Sequence, residues 1–448
     1  MAKLTPMMEQ YFEIKNKYKD CILFYRLGDF YEMFYEDALT ASKELEITLT
    51  GKNCGQEERA PMCEPYINKL VEKGYRVAIC EQVEDPKAAK GIVKRDVIRV
   101  VTPGTNTLTQ SLDETKNNYI MSVFCENDKF GVAICDLSTG EFRTTQVEYQ
   151  DALLDELNKF QPAEIICNDG FCICGMDFEY IREKIGAIIT PVASYYFEMD
   201  HCEKMIQEQY HLRNLEGIGL KDYPFGIIAS GSLLQYLHET QKTSLAHLME
   251  LIPYSTQNYM VLDSSTRRNL ELCETMREKS KKGSLLWVLD KTKTAMGARM
   301  LRKMVEQPLI HKQAIMDRLD AVEMLKENVM AREELREYMN SIYDLERLTM
   351  KVSYRSANPR DLIAFKTSIQ YLPYIKDILG QFSRGVLADM GGELDTLEDL
   401  YALLEAAIEE DPPLSIKEGG ILKAGYDEEV DHLKKAKTEG KTWLAELE

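Results

Sequence analysis

The sequence predicts a multidomain protein that is mixed α/β over its first half and all-α after it. Three observations carry that prediction. Strand-like runs alternate with helical patterns up to about residue 110. Between Asn117 and Cys167 come hairpin strands, an amphipathic helix and a further strand, which is the order of a second α/β domain. After Pro253 the texture changes to long apolar repeats of helical period with few strands. A length of 448 residues accommodates about three domains, each large enough for its own core.

The first helix runs from Met7 to Tyr18, where Met8, Tyr11, Phe12, Ile14 and Tyr18 recur at helical intervals. Leu23 to Tyr35 follows as an aromatic-rich strand with a local kink at Gly28. Period-two alternation sets Phe30, Glu32 and Phe34 on one face and Tyr31, Met33 and Tyr35 on the other. An acid between two phenyl rings is an unusual face. Buried, Glu32 would need a partner; exposed, Phe30 beside it makes an apolar wedge with a hydrogen-bonding neighbour.

Glu36 to Leu45 reads as a helix offering Ala38, Leu39 and Ala41 for packing, and Ile47 to Thr50 as a short strand. Pro65 to Lys73 is a helix ended by Gly74, and Tyr75–Glu81 and Val97–Thr102 are strands, the second stopped by Pro103-Gly104. In the next domain Tyr119–Phe124, Phe130–Cys135 and Gly140–Thr145 are strands, with Asn127-Asp128 as the first turn. Asp151–Phe160 is a helix and Ala163–Cys167 a strand. Helices are expected at His201–Tyr210 and at Gly231–Glu239, where Leu233, Leu234, Tyr236 and Leu237 suit packing. The helical part offers Leu285–Glu306, Met316–Asn328, Ala331–Met339, Ser341–Lys351, Asp361–Tyr371 and Asp395–Glu409.

Composition excludes several classes. No apolar run is long enough to span a membrane, and the start Met1-Ala2-Lys3-Leu4-Thr5-Pro6 lacks the apolar centre of a signal peptide, so a cytoplasmic protein is expected. Eleven scattered cysteines suit a reducing compartment. Cys172 and Cys174, with Cys167 nearby, have no histidines at zinc-finger spacing and read as structural thiols, so no metal is expected. A net charge of −19 argues against indiscriminate coating of nucleic acid. The acid is unevenly placed. Residues 1–110 hold 16 Lys and Arg against 17 Asp and Glu, leaving 39 against 57 for the rest. Within the first segment Lys87, Lys90, Lys94, Arg95 and Arg99 face a single acid, Asp96. Such a run is ordinarily a solvated face, and becomes a nucleic-acid surface only beside a recognition motif.

Gly28-Asp29-Phe30-Tyr31-Glu32 resembles the Phe-x-Glu signature of the MutS DNA mismatch-repair family. That resemblance implies that Phe30 stacks on a mispaired base and Glu32 hydrogen-bonds it. The physics suits the task, because a Phe pushed into a base step kinks the duplex most cheaply where pairing is weak. Val77–Pro86 and Val97–Thr105 are similar to the same family, and by that likeness Arg99, and more weakly Lys52, touch the DNA backbone. Family members carry a Gly-x-Pro-aromatic-His stretch where Ala60-Pro61-Met62-Cys63 here runs straight into Glu64-Pro65-Tyr66, a shorter loop. No site is carried over from residues 56–66.

The resemblance continues through Thr266–Leu272, Gly283–Leu286, Asp290–Arg299, Asp344–Leu348, Asn358–Leu362 and Ile416–Tyr426. It implies a mismatch-recognition domain over 1–110, a ribonuclease-H-like connector over 111–245, a helical core or lever over 246–415, and the start of a clamp over 416–448. The implied partners are mismatched or looped duplex DNA and a MutL-type repair protein that meets the connector. No Gly-x-x-x-x-Gly-Lys-Ser/Thr loop occurs, so this chain has no expected catalytic residues or cofactor. The family's ATPase, with ATP and magnesium, and its homodimer surface are expected downstream of the sequence in hand.

Two other readings stand beside this one. A MutS-like scaffold without mismatch specificity would generally lack the Phe-x-Glu pair. A ribonuclease-H-like nuclease would use Asp136 and Glu141 around a metal pair, yet Asp136–Glu141 is equally ordinary hairpin-turn chemistry with no further acids to complete a site.

Overall fold

In this computed structural model the structure describes residues 5–28, 30–52, 57–59, 64–84, 91–107 and 112–436. The chain divides into two units, one of residues 1–287 with 305–308, the other of residues 288–304 with 309–448.

The first unit opens with α1 (Pro6–Lys17), β1 (Cys21–Leu27), β2 (Phe30–Glu32) and α2 (Tyr35–Leu45). It continues through β3 (Thr50–Lys52), β4 (Glu57–Arg59), α3 (Glu64–Glu72), β5 (Arg76–Gln82) and β6 (Arg95–Val101). Its first sheet has the order β2-β1-β5-β6, with β1 parallel to β5 and the outer pairings antiparallel. Both faces of β1 are covered, which explains its unbroken apolar run. Ile22 and Phe24 pack with Ala38, Ala41 and Leu70 of α2 and α3, while Cys21, Leu23 and Tyr25 pack with Met8, Tyr11 and Ile14 of α1.

Four sequence expectations change here. Leu23 to Tyr35 is a hairpin and a helix start rather than one kinked strand: the chain reverses at Gly28, whose φ of +58° glycine adopts without strain, and Leu27 pairs with Phe30. Alternation stops after Glu32, so Phe34 is fully buried behind the hairpin instead of sharing a face with Phe30. Leu39 points to solvent because Ala38 and Ala41 already fill the packed face of α2, and the short strand lies at Thr50–Lys52 rather than Ile47–Thr50.

A second sheet follows, made from β7 (Ile120–Glu126), β8 (Lys129–Asp136), β9 (Glu141–Val147), β10 (Glu164–Cys167), β11 (Ile188–Pro191) and β12 (Ile252–Pro253), in the order β11-β10-β7-β8-β9-β12. Asn127 and Asp128 make the β7–β8 turn with positive φ, as expected from a two-residue hairpin loop. One face is covered by α4 (Gln150–Phe160), α5 (Asp169–Ile173) and α6 (Phe178–Tyr180), the other by α7 (Met199–Tyr210) and α8 (Pro224–Gln241). Leu233, Leu234, Tyr236 and Leu237 of α8 are all buried, which is the packing role their spacing indicated.

The two sheets meet at Glu164, a fully buried carboxylate. Thr102 Oγ1 and the Gly104 N–H (3.1 Å) donate to it from just beyond β6, Thr190 Oγ1 (3.1 Å) from β11 and Tyr236 Oη (2.6 Å) from α8. Gly104 is needed for this approach, since a Cβ there would lie 2.7 Å from Ile120 Cβ and 2.9 Å from Glu164 Cβ.

The helices α9 (Ser264–Asn269), α10 (Leu285–Leu289) and α11 (Ala295–Glu306) come next. They are followed by α12 (Lys312–Glu327), α13 (Val329–Met339), α14 (Leu345–Ser353), α15 (Pro359–Gln370), α16 (Leu372–Leu379), α17 (Gly385–Glu393) and α18 (Glu398–Ala407). The single helix expected over Leu285–Glu306 is broken, because the Asp290 carboxylate accepts from the Thr292 N–H (3.1 Å) and Oγ1 (2.6 Å) and holds a turn in place of a helix. In the second unit Arg299 makes a bidentate pair with Asp344 (2.7 and 2.8 Å) and a third bond to Glu346 (2.6 Å). Ala331, Leu335, Ile375, Ile378, Leu379 and Leu387 form a core among α13, α16 and α17. No helix among the described residues is long and apolar enough to cross a membrane.

Candidate nucleic-acid interface

Phe30 opens β2, the three-residue edge strand of the first sheet, and is 60% exposed. Its aromatic neighbours in sequence go the other way: Phe24, Tyr25 and Phe34 have no exposure at all. An exposed phenyl group on a short edge hairpin, backed by a filled core, is a side chain free to enter a partner. Glu32, two residues on, is half-buried and pairs in register with Tyr25.

The hairpin is braced from β5. Tyr31 donates its hydroxyl to Glu81, and the Arg26 guanidinium lies over the Tyr31 ring at 4.9 Å. Arg26 Nε also donates to the Gly28 carbonyl at 2.8 Å and sits 3.9 Å from Glu81. Sequence reasoning set Tyr31 on the face opposite Phe30 but missed Arg26 and Glu81. The signal was available: reading Gly28-Asp29 as a two-residue hairpin loop sets Arg26 opposite Tyr31.

The basic run does not form one face. Arg95 is buried: its Nε donates to the Arg26 carbonyl (2.7 Å), its Nη1 to the Val93 carbonyl (3.0 Å), and its guanidinium covers the Tyr25 ring at 5.1 Å. Burial pushes the Tyr25 phenol up to about 12, against the pull of Arg95. Arg99 is half-buried, with Nη2 donating to the Thr105 carbonyl (2.9 Å) and Thr107 Oγ1 (2.8 Å). Lys94 is exposed, Lys87 and Lys90 lie outside the described residues, and Lys52 falls on β3. A β-bulge explains the split: Arg95 and Val97 share the buried side of β6, and the register shift that leaves Ile98 without a partner strand residue turns Arg99 off that side.

Asp136 and Glu141 stand opposite each other across the β8–β9 turn. Asp136 accepts from the Ser138 N–H (2.8 Å) and Oγ (2.7 Å) and from Asn117 Nδ2 (2.8 Å), while Glu141 accepts from Tyr119 Oη (2.8 Å). This is the geometry of a hairpin turn rather than of a metal pair. Among the described residues no three His, Cys, Asp or Glu side chains converge to hold a metal ion.

Comparison with known proteins gives matches along the whole chain. Residues 5–110 match the family model for MutS domain I, residues 118–249 that for MutS domain II and residues 265–446 that for MutS domain III. The chain is 59% identical over 455 residues to the DNA mismatch repair protein MutS of Lachnoclostridium phytofermentans, covering 100% of this chain and 49% of that protein. It is 51% identical over 458 residues to the protein of the same name from Acetivibrio thermocellus, covering 100% of this chain and 52% of the relative. The chain thus spans about half the length of the curated relatives it matches.

Proposed function

From the premise that this chain belongs to the MutS family, of which it carries domains I, II and III, we propose that it binds duplex DNA at a mispair or an unpaired loop. Phe30 wedges into the weakened base step and Glu32 bonds the displaced base, while Arg99 and, more weakly, Lys52 contact the DNA backbone. The observation that carries the reading is the isolation of Phe30: one phenyl ring out of the aromatic run is exposed, on an edge hairpin, two residues from a carboxylate. Unstacking costs a few kcal/mol at a paired step and less at a mispair, so a wedge converts weak pairing into preference.

The rest of the assembly follows the family resemblance. ATP and magnesium belong to the part of the full-length relatives that this chain does not span, together with the surface that makes the homodimer. The second α/β domain is the connector that a MutL-type partner meets. DNA bending would be relayed to the ATP site as a coupling free energy between the two.

The test is binding of the 448-residue chain at low salt to a short duplex with one G·T mispair or one unpaired T, against the fully paired duplex, for wild type and Phe30→Ala. Preference for the defective duplexes that falls to parity in the variant is expected. Because Phe30 is exposed, its loss changes stability by no more than about 0.5 kcal/mol, so lost preference is not lost folding. Equal binding of all duplexes by both proteins would overturn the reading and leave a scaffold.

A further inference from the structure

The cysteines singled out by the sequence lie together at one end of the second sheet, and the proposed DNA-binding role makes no use of them. Cys167 ends β10 with no exposure; Cys172 is half-buried on α5, five residues later. Their sulfurs are 3.8 Å apart, in contact as thiols. Neither is in a disulfide, and the neighbouring Cys174 turns its thiol to the Phe171 carbonyl at 3.1 Å.

The turn that holds this pair is fixed on both sides. Asn168 Oδ1 accepts from the Phe171 N–H (3.2 Å), capping α5, and from the Cys125 N–H (3.0 Å), while Asn168 Nδ2 donates to the Cys125 carbonyl (2.9 Å). Gly170 lies so close to β7 that a Cβ would stand 2.3 Å from the Cys125 oxygen. A disulfide requires sulfurs about 2.05 Å apart. From 3.8 Å, the two sulfurs have about 1.8 Å left to close.

We propose that Cys167 and Cys172 form an oxidisable dithiol, a modification site for hydroperoxides. The half-buried Cys172 is the attacking thiol. Its thiolate displaces hydroxide from the O–O bond of a hydroperoxide and becomes a sulfenic acid. Cys167 sulfur then attacks the Cys172 sulfur, the S–OH bond breaks, and the Cys167 proton leaves with the hydroxide as water. In sum two thiols and one hydrogen peroxide give one disulfide and two waters, with two electrons passing from sulfur to the O–O bond. Burial raises the Cys167 thiol, so Cys167 does not react first and stays reduced until Cys172 has been oxidised.

The test treats the reduced 448-residue chain with hydrogen peroxide, blocks remaining thiols by alkylation, and maps peptides after cleavage on the N-terminal side of Asp169, which separates the two cysteines. A Cys167–Cys172 cross-link lacking two hydrogens, reversed by dithiothreitol, is the expected product. Cys172→Ser removes one sulfur, so no such cross-link forms and Cys167 stays alkylatable after peroxide, and Cys174→Ser should leave the cross-link unchanged. Cys167→Ser should trap Cys172 as a sulfenic acid that a 1,3-dione probe labels. The mapping of the unsubstituted chain is decisive by itself if a variant misfolds. A dominant Cys125–Cys174 or Cys172–Cys174 bridge, Cys172 carried to sulfinic acid without a bridge, or full alkylation of both thiols after peroxide would each overturn the proposal.

Discussion

In the proposed complex Glu32 works electrostatically against binding, and this makes its role separable from that of Phe30. A carboxylate brought close to phosphates lowers affinity for every duplex, whereas a hydrogen bond to a displaced base raises affinity for the defective one. Replacing Glu32 by Gln removes the repulsion and exchanges a charge-assisted acceptor for a neutral one, a difference of about 1 kcal/mol. Glu32→Gln should therefore bind fully paired DNA more tightly than wild type while its preference for a G·T duplex falls about fivefold, read by competition binding at two salt concentrations. Weaker binding to paired DNA would place the carboxylate away from the backbone. At this scale the sequence was informative through a motif, not through periodicity. Likeness to the family singled out Phe30 and Glu32, and both sit on β2. Phe34 was misplaced because alternation describes a strand only while the strand lasts, and β2 ends at Glu32.

The hairpin as an element turns an exposed phenyl ring into a positioned one. Three residues of β2 make a short ladder with β1, too short to be rigid alone. The brace from Tyr31 to Glu81 and the stack of Arg26 on Tyr31 add the missing constraint. Tyr31→Phe keeps the ring and the stack but deletes one hydrogen bond, worth about 1 kcal/mol. Mismatch preference should fall about threefold with affinity for paired DNA unchanged, and the effect should be absent on the Phe30→Ala background. A drop in melting temperature with full preference retained would show that the ladder alone holds the wedge. Elements with local chemistry were the readable ones. Helix α15 was found, though its expected start at Asp361 is two residues late: Asn358 caps it and Asp361 reaches back to the Asn358 N–H at 2.9 Å, the capping box that Asn358-Pro359-Arg360-Asp361 carries. The break at Asp290 escaped because the apolar pattern runs through it, and only the side-chain bonds to Thr292 stop the helix.

Across the first unit, the order of strands and helices was legible, but the junction that joins its two sheets was not. Glu164 lies 62 residues from Thr102 and 72 from Tyr236, and no local pattern ties residues so far apart. Read from sequence, Glu164 was one more strand residue; in the fold it is the acceptor for donors from both sheets. The first sheet runs from the β1–β2 hairpin to β6, beyond whose end Thr102 and Gly104 bond this carboxylate. Glu164→Ala removes the acceptor and strands those donors in a buried site, at about 1–3 kcal/mol for each left unsatisfied. Glu164→Gln keeps the shape but turns one acceptor into an N–H₂ that faces other donors. Native-state hydrogen exchange resolves the consequence by sheet. In wild type, amides of β1 and β5 should open together with those of β7 and β8. In Glu164→Ala the first sheet should open separately, its protection lowered about tenfold or more while β7 and β8 keep theirs, with Glu164→Gln between. Equal loss in both sheets would mean that the packing of Gly104 on Ile120 joins them without the carboxylate, and that Glu164 merely fills a buried polar site.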